Sequence, residues 1–88
     1  MNEIRIATKT LNDNEASLYT NSAGAIVKTI LLHNPNSGEK EVTLKLDSVA
    51  FLFTLNSKET KILSTPIVTN SIVAKGAAIN IHISGIQL

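Results

Sequence analysis

The chain has 88 residues, enough for one domain with a single small core. Its 8 Lys+Arg stand against 7 Asp+Glu, and the net charge of +1 excludes a strongly basic nucleic-acid binder or an acidic tail. With no Cys there is no disulfide framework, no thiolate nucleophile and no Cys-ligated metal site. Ile, Val and Thr make up 25 of the 88 residues, and β-branched side chains fit pleated sheets better than helices. The composition therefore predicts an all-β protein.

The chain opens Met-Asn-Glu-Ile-Arg-Ile, without the basic and apolar regions of a signal peptide. No apolar run approaches the ~20 residues a membrane helix needs. The expectation is a protein made and used without secretion or membrane attachment. Turn signals recur at roughly 8–15-residue intervals, the rhythm of sandwiches and barrels. Between them the residues predict strands near 3–9, 16–20, 25–33, 40–47, 49–55, 59–64, 66–68, 71–75 and 78–87. The breaks fall at Asn12-Asp13-Asn14, Asn21-Ser22-Ala23-Gly24, Asn34 to Gly38, Asp47-Ser48, Asn56-Ser57, Thr69-Asn70-Ser71 and Lys75-Gly76.

Strand parity tells which faces are buried. Val42, Leu44 and Leu46 alternate with Thr43, Lys45 and Asp47, so one face is dry and one wet. Ile79, Ile81 and Ile83 alternate with Asn80, His82 and Ser84 in the same way. After Gly85 the apolar parity flips to Ile86 and Leu88, as a β-bulge there would cause. Two segments differ. In 26–33, Ile26, Ile30 and Leu32 share one face, and Val27 and Leu31 the other. In 49–55, Val49, Phe51, Phe53 and Leu55 share one face, and Ala50 and Leu52 the other. A sandwich buries one side of each sheet, so the second side of these strands needs a cover, from its own chain or another subunit. The expected core is Ile26, Ile30, Leu32, Val42, Leu44, Leu46, Phe51, Phe53, Ile79, Ile81 and Ile83.

Little in the chain suggests chemistry. His33 and His82 are the only histidines, and no HxH or HExxH spacing is present. The four Gly are scattered one per turn, without a phosphate-binding pattern, and no Gly-x-Ser-x-Gly elbow occurs. Glu39 and Glu41 flank Lys40 as a solvated strand start. Asp13 and Asp47 stand alone in their loops, unlike calcium ligands. The reading is a non-enzyme with no catalytic residues, no metal and no cofactor. Nucleic-acid binding by a barrel would need exposed aromatics and a basic groove, and the Lys and Arg residues are spread along the chain.

The order of motifs resembles that of small phage virion proteins. The matching residues are Leu18-Tyr19-Thr20, Ala23-Gly24, Ile26 to Asn34, Val42-Thr43-Leu44, Pro66-Ile67-Val68 and Ile83-Ser84-Gly85-Ile86-Gln87-Leu88. The chain departs from the pattern at Asn21-Ser22, where a Pro often precedes Ala-Gly, and at Lys75-Gly76-Ala77, where an Ala-Gly-Asp turn is expected nearby. The resemblance implies a β-sandwich that decorates the capsid or sits in the neck, tail or a fibre, and it carries no catalytic residues.

Together these readings predict a single antiparallel β-sandwich over 1–88, jelly-roll or immunoglobulin-like, with about seven to nine short strands. The expected role is a structural component of a bacteriophage particle, first of all a capsid decoration protein, made in the host cytoplasm and residing in the virion. The alternatives are a tail, neck or fibre protein, or a host-surface or carbohydrate-binding module with Tyr19 as the only aromatic platform. The expected partners are copies of itself, with a trimer favoured by capsid symmetry, and the major capsid or another virion protein. No nucleic acid and no membrane are expected. Candidate interface residues are Val27, Leu31 and Leu52 on the doubly apolar strands, and Asn34, Pro35 and Asn36 in a loop whose backbone is pre-ordered for a contact.

Overall fold

The computed structural model describes residues 3–64 and 66–88. All regular structure among them is β: β1 (Ile4–Thr10), β2 (Ala16–His33), β3 (Lys40–Leu46), β4 (Val49–Leu55), β5 (Thr60–Leu63), β6 (Ile67–Gly76) and β7 (Asn80–Gln87). They form one antiparallel sheet in the order β1-β7-β2-β6-β3-β4, with β5 also paired to β2. No helix occurs among the described residues, and the molecule measures 39 × 22 × 17 Å.

The 18-residue β2 organises the sheet. Its first part pairs with β6 from Ala16 to Val27, and its second part pairs with β7 from Ala25 to His33. Beyond β6, the same edge of β2 takes β5 at Ile30 to His33. The strand thus joins two wings, β1-β7-β2-β5 and β2-β6-β3-β4. Two separate strands were expected here, at 16–20 and 25–33. The Asn21–Gly24 turn signal instead makes an excursion inside one strand. Asn21 Oδ1 accepts the Ala23 N–H at 2.8 Å, and Gly24 takes φ +82°, a conformation glycine adopts without strain. Asn70 Nδ2 then ties the excursion to β6, donating to Asn21 O at 3.1 Å and Ser22 O at 3.0 Å. The expected break at Thr69-Asn70-Ser71 is the other half of this irregularity, so 66–68 and 71–75 also fuse, into β6.

The core lies on the inner face. Val27, Ile30 and Leu32 of β2, Val42 and Leu44 of β3, Leu55 of β4, Ile72 and Ala74 of β6, and Ile81 and Ile83 of β7 are all buried, joined by Leu11 and Ile79 from the turns. Residues from both wings contribute to this one core. Each such aliphatic side chain contributes about 1.5–3 kcal/mol by leaving water. Of the expected core, Ile30, Leu32, Val42, Leu44, Ile79, Ile81 and Ile83 are buried, Ile26, Leu46 and Phe53 are half-buried, and Phe51 is exposed.

Two bulges set the parity of the β1-β7-β2 wing. The register passes from Arg5↔Ser84 to Ala7↔Ile83, leaving Ile6 extra, and from Val27↔Gly85 to Thr29↔Ser84, leaving Lys28 extra. The inner face of β2 therefore switches from Val27 to Ile30 across Lys28. The expected bulge at Gly85 is corrected by this register: the extra residues belong to β1 and β2, opposite Ser84 and Gly85. Gly85 itself lets the backbones close up. A Cβ there would overlap Ile26 O and come within 2.9 Å of Val27 Cα.

Candidate functional site

β3 and β4 form a hairpin through the two-residue turn Asp47-Ser48. Both residues have positive φ, 51° and 70°, as a type I′ turn requires. Asp47 Oδ1 braces the turn by accepting the N–H groups of Asn70 at 2.9 Å and Ser71 at 3.1 Å. The register Val42↔Phe53, Leu44↔Phe51 and Leu46↔Val49 puts Val49, Phe51 and Phe53 on the inner face beside the core residues of β3.

Burial fades along that face. Leu55 is fully buried, Phe53 is half-buried, Phe51 is 46% exposed and Val49 58% exposed. The assignment of Phe51 to the core chose the correct face and the wrong environment. Outside the hairpin, Leu63 of β5 and Ile67 of β6 flank these side chains. What remains is an apolar cleft of about 340 Å³ lined by Leu44, Leu46, Phe51, Phe53, Leu63 and Ile67. On the outer face Leu52 is 60% exposed.

β4 is also an end of the sheet. It pairs with β3 alone, so alternate residues aim backbone N–H and C=O groups away from the molecule. Val49 to Leu55 contain no charge, no Pro and no Gly. β1, at the opposite end, carries Arg5, Lys9 and a bulge at Ile6. An uncharged, doubly apolar edge with a cleft beside it is the surface of this molecule best suited to accept another polypeptide.

The other candidate interface residues lie elsewhere. Val27 is corrected to core, because the Lys28 bulge keeps it on the inner face. Leu31 sits on the outer face of β2, between His82 of β7 and Ile62 of β5, away from β4. Asn34 is corrected from contact residue to buried hub. Its Nδ2 donates to Gly38 O at 2.9 Å, Leu55 O at 3.1 Å and Asn56 O at 3.1 Å. Its Oδ1 accepts from the Asn36 backbone N–H at 2.9 Å and Asn36 Nδ2 at 2.8 Å. Asn36 Nδ2 also reaches Ala77 O at 3.0 Å, so these two side chains lock three turns together. Pro35 and Asn36 are half-buried, and the loop is a clamp within the chain.

Both histidines face one shallow groove of about 510 Å³ on the outer face, with Thr8, Thr10, Leu31 and Asn80. His33 Nδ1 shares a hydrogen bond with Thr60 Oγ1 at 2.8 Å, and Thr10 Oγ1 donates to Asn80 Oδ1 at 2.7 Å. No group of three or more His, Cys, Asp or Glu that could hold a metal occurs among the described residues. Tyr19 is half-buried against the core, and its hydroxyl donates to Gly24 O at 3.2 Å and Gln87 Oε1 at 2.5 Å. Its ring is spent on the interior and offers no open platform for a sugar. Sequence reasoning did not single out Val49, Ile62 or Val68, which are 58%, 62% and 68% exposed. For Val49 the signal was present: an uncharged segment, apolar on both faces, following a tight turn. No family model matches the chain, and no curated protein matches it.

Proposed function

We propose that this chain is a non-enzymatic structural component of a bacteriophage particle, a capsid decoration protein that stabilises the shell through contacts with its own copies and with the capsid protein beneath. The observation that carries the reading is the uncharged edge strand β4, with Val49, Phe51 and Leu52 exposed at 58%, 46% and 60%. Proteins that act alone protect such edges with charge, Pro or a cover. A subunit that works only in an assembly gains from leaving one open.

The motif order that resembles phage virion proteins supports the same reading, because each motif occupies a definite place in the sheet. Leu18-Tyr19-Thr20 and Ile26 to His33 lie in the two parts of β2, with Ala23-Gly24 at its excursion. Val42-Thr43-Leu44 lies in β3, Ile67-Val68 opens β6, and Ile83 to Gln87 lies in β7. In this reading the two wings are the layers of a small β-sandwich. The inward Tyr19 weighs against a carbohydrate-binding module. Mass spectrometry of purified phage particles tests the proposal. The chain should be present in many copies per particle, on the outside of the shell, and its absence from intact particles overturns the reading.

A further inference from the structure

We infer that β4 is the strand through which two copies of this chain join, edge to edge and antiparallel, across a two-fold axis at Leu52. The inference rests on the reading of the chain as an assembling subunit, and it names the strand and the symmetry.

The edge strands β1, β5 and β4 are not equivalent. β1 has Arg5 and Lys9, and its bulge at Ile6 disrupts the regular spacing of hydrogen-bonding groups. β5 is four residues long and includes Lys61. β4 offers seven consecutive residues without charge. A partner strand must also be apolar on both faces and uncharged. In this chain only 26–33 and 49–55 are apolar on both sides, and 26–33 carries Lys28 and lies inside the sheet. The strand that fits β4 is β4 itself.

Leu52 is the middle of the seven-residue β4, so an axis there is the register that pairs the whole strand. Opposed residues of an antiparallel pair point to the same face, so an axis at Leu52 sets Leu52 against its own copy, Phe51 against Phe53, Val49 against Leu55 and Ala50 against Thr54. Every pair is apolar except the last, which sets a methyl against a threonine. Asp47 precedes β4 and Lys58 and Glu59 follow it, so the antiparallel arrangement sets each Asp47 near a Lys58–Glu59 pair and opposes no like-charged ends. Each copy also sets Phe51 beside Phe53 of the other at the mouth of the open cleft. The interface is isologous, so it closes at two copies instead of running on into a fibre.

The absence of native Cys makes a direct test available. Leu52→Cys places two thiols opposite each other across the axis, at the roughly 5.5 Å spacing of a hydrogen-bonded pair, within the Cα range a disulfide spans. Val68→Cys, at an equally exposed position on β6, is the control. Mild oxidation of dilute protein should convert Leu52→Cys to a covalent dimer and leave Val68→Cys largely monomeric. Equal yields from the two variants, or no dimer from Leu52→Cys, overturn the inference. Light scattering of the unmodified chain should give twice the 9.4 kDa chain mass, and Leu52→Lys, with its fold verified by circular dichroism, should return it to the single mass. A monomeric unmodified chain, or an oligomer that survives Leu52→Lys, rejects β4 as the join. A virion role would stand in that case, whereas absence from particles with the dimer intact rejects the role and keeps the join.

Discussion

The two ends of the sheet are built in opposite ways. β1 is polar, bulged and carries Arg5 and Lys9, and its neighbour β7 is locked to β2 by the backbone approach at Gly85. β4 is regular, uncharged and apolar, and beside it the core opens into a cleft. The same sheet therefore has one end that repels an added strand and one that would accept it. A strand edge costs little to guard, and one or two lysines suffice. The contrast between β1 and β4 is thus a property of the design of the surface, beyond what folding alone demands. Both wings supply buried core residues; β7 and β2 are in addition locked together at Gly85, and β4 leaves Val49, Phe51 and Leu52 exposed.

The largest expected effect breaks the lock between β7 and β2. Gly85→Ala drives a methyl into Ile26 O and against the Val27 Cα, both backbone atoms that cannot swing aside. Overpacking of that kind should cost about 4 kcal/mol or more, close to the whole stability of a small domain. Urea denaturation should find the variant unfolded or barely folded, and near-normal stability would show that β7 and β2 are not locked at this point. Next in size is Ile83→Ala. Ile83 is fully buried, so the loss should be about 2–5 kcal/mol. Leu52→Lys, on the exposed strand, should stay within about 0.5 kcal/mol in dilute solution. If the two variants lose equal stability, the contrast between a buried β7 and an exposed outer face of β4 is wrong.

Asn34→Ala probes the clamp where the wings meet. It strips Gly38 O, Leu55 O and Asn56 O of their side-chain donor and leaves the Asn36 backbone N–H without its acceptor. A loss of about 2 kcal/mol is expected, because buried polar groups left unpaired keep their desolvation cost. Leu55 is the buried end of β4, so hydrogen exchange in that strand should also quicken in this variant.

Much of this architecture was readable from the residues. The alternation in 42–46 and 79–83 identified the inner faces of β3 and β7 because each strand is regular and wet on one side. The turn at Asp47-Ser48 was legible for the same local reason. Three features were not. The excursion in β2 uses turn residues without reversing the chain, and only the pairing to β6 distinguishes the two outcomes. The bulges at Ile6 and Lys28 are defined by the strand opposite, so the parity change was read at Gly85, the one residue that announces irregularity by type. Phe51 illustrates the third. Periodicity says which face a side chain shares, and the reach of the opposing layer says whether that face is covered. Asn34 and Asn36 looked like loop residues free for a partner, because composition marks a turn and does not tell which carbonyls its amides will find.

The smallest expected effect concerns the one ion pair that, among the described residues, reaches the β3-β4 hairpin from the rest of the chain. Glu15 Oε2 lies 2.6 Å from Lys45 Nζ, linking the start of β2 to β3. The hydrogen bond from Lys45 holds the Glu15 carboxyl below its ordinary value of 4.5; desolvation opposes it, and the charges of Lys45 and Lys75 add weaker lowering effects. The folded chain thus binds this proton less readily than the unfolded chain. The charged carboxylate favours the folded state at every pH above about 4.5, and that contribution fades as the pH falls through the lowered folded value. Because both side chains are largely in solvent, the effect is slight and weakens with added salt. Thermal melts of the unmodified chain and Glu15→Gln should differ a little at neutral pH in low salt and converge below the carboxylate range. A difference that persists in acid would mean that Glu15 acts by packing and not by its charge.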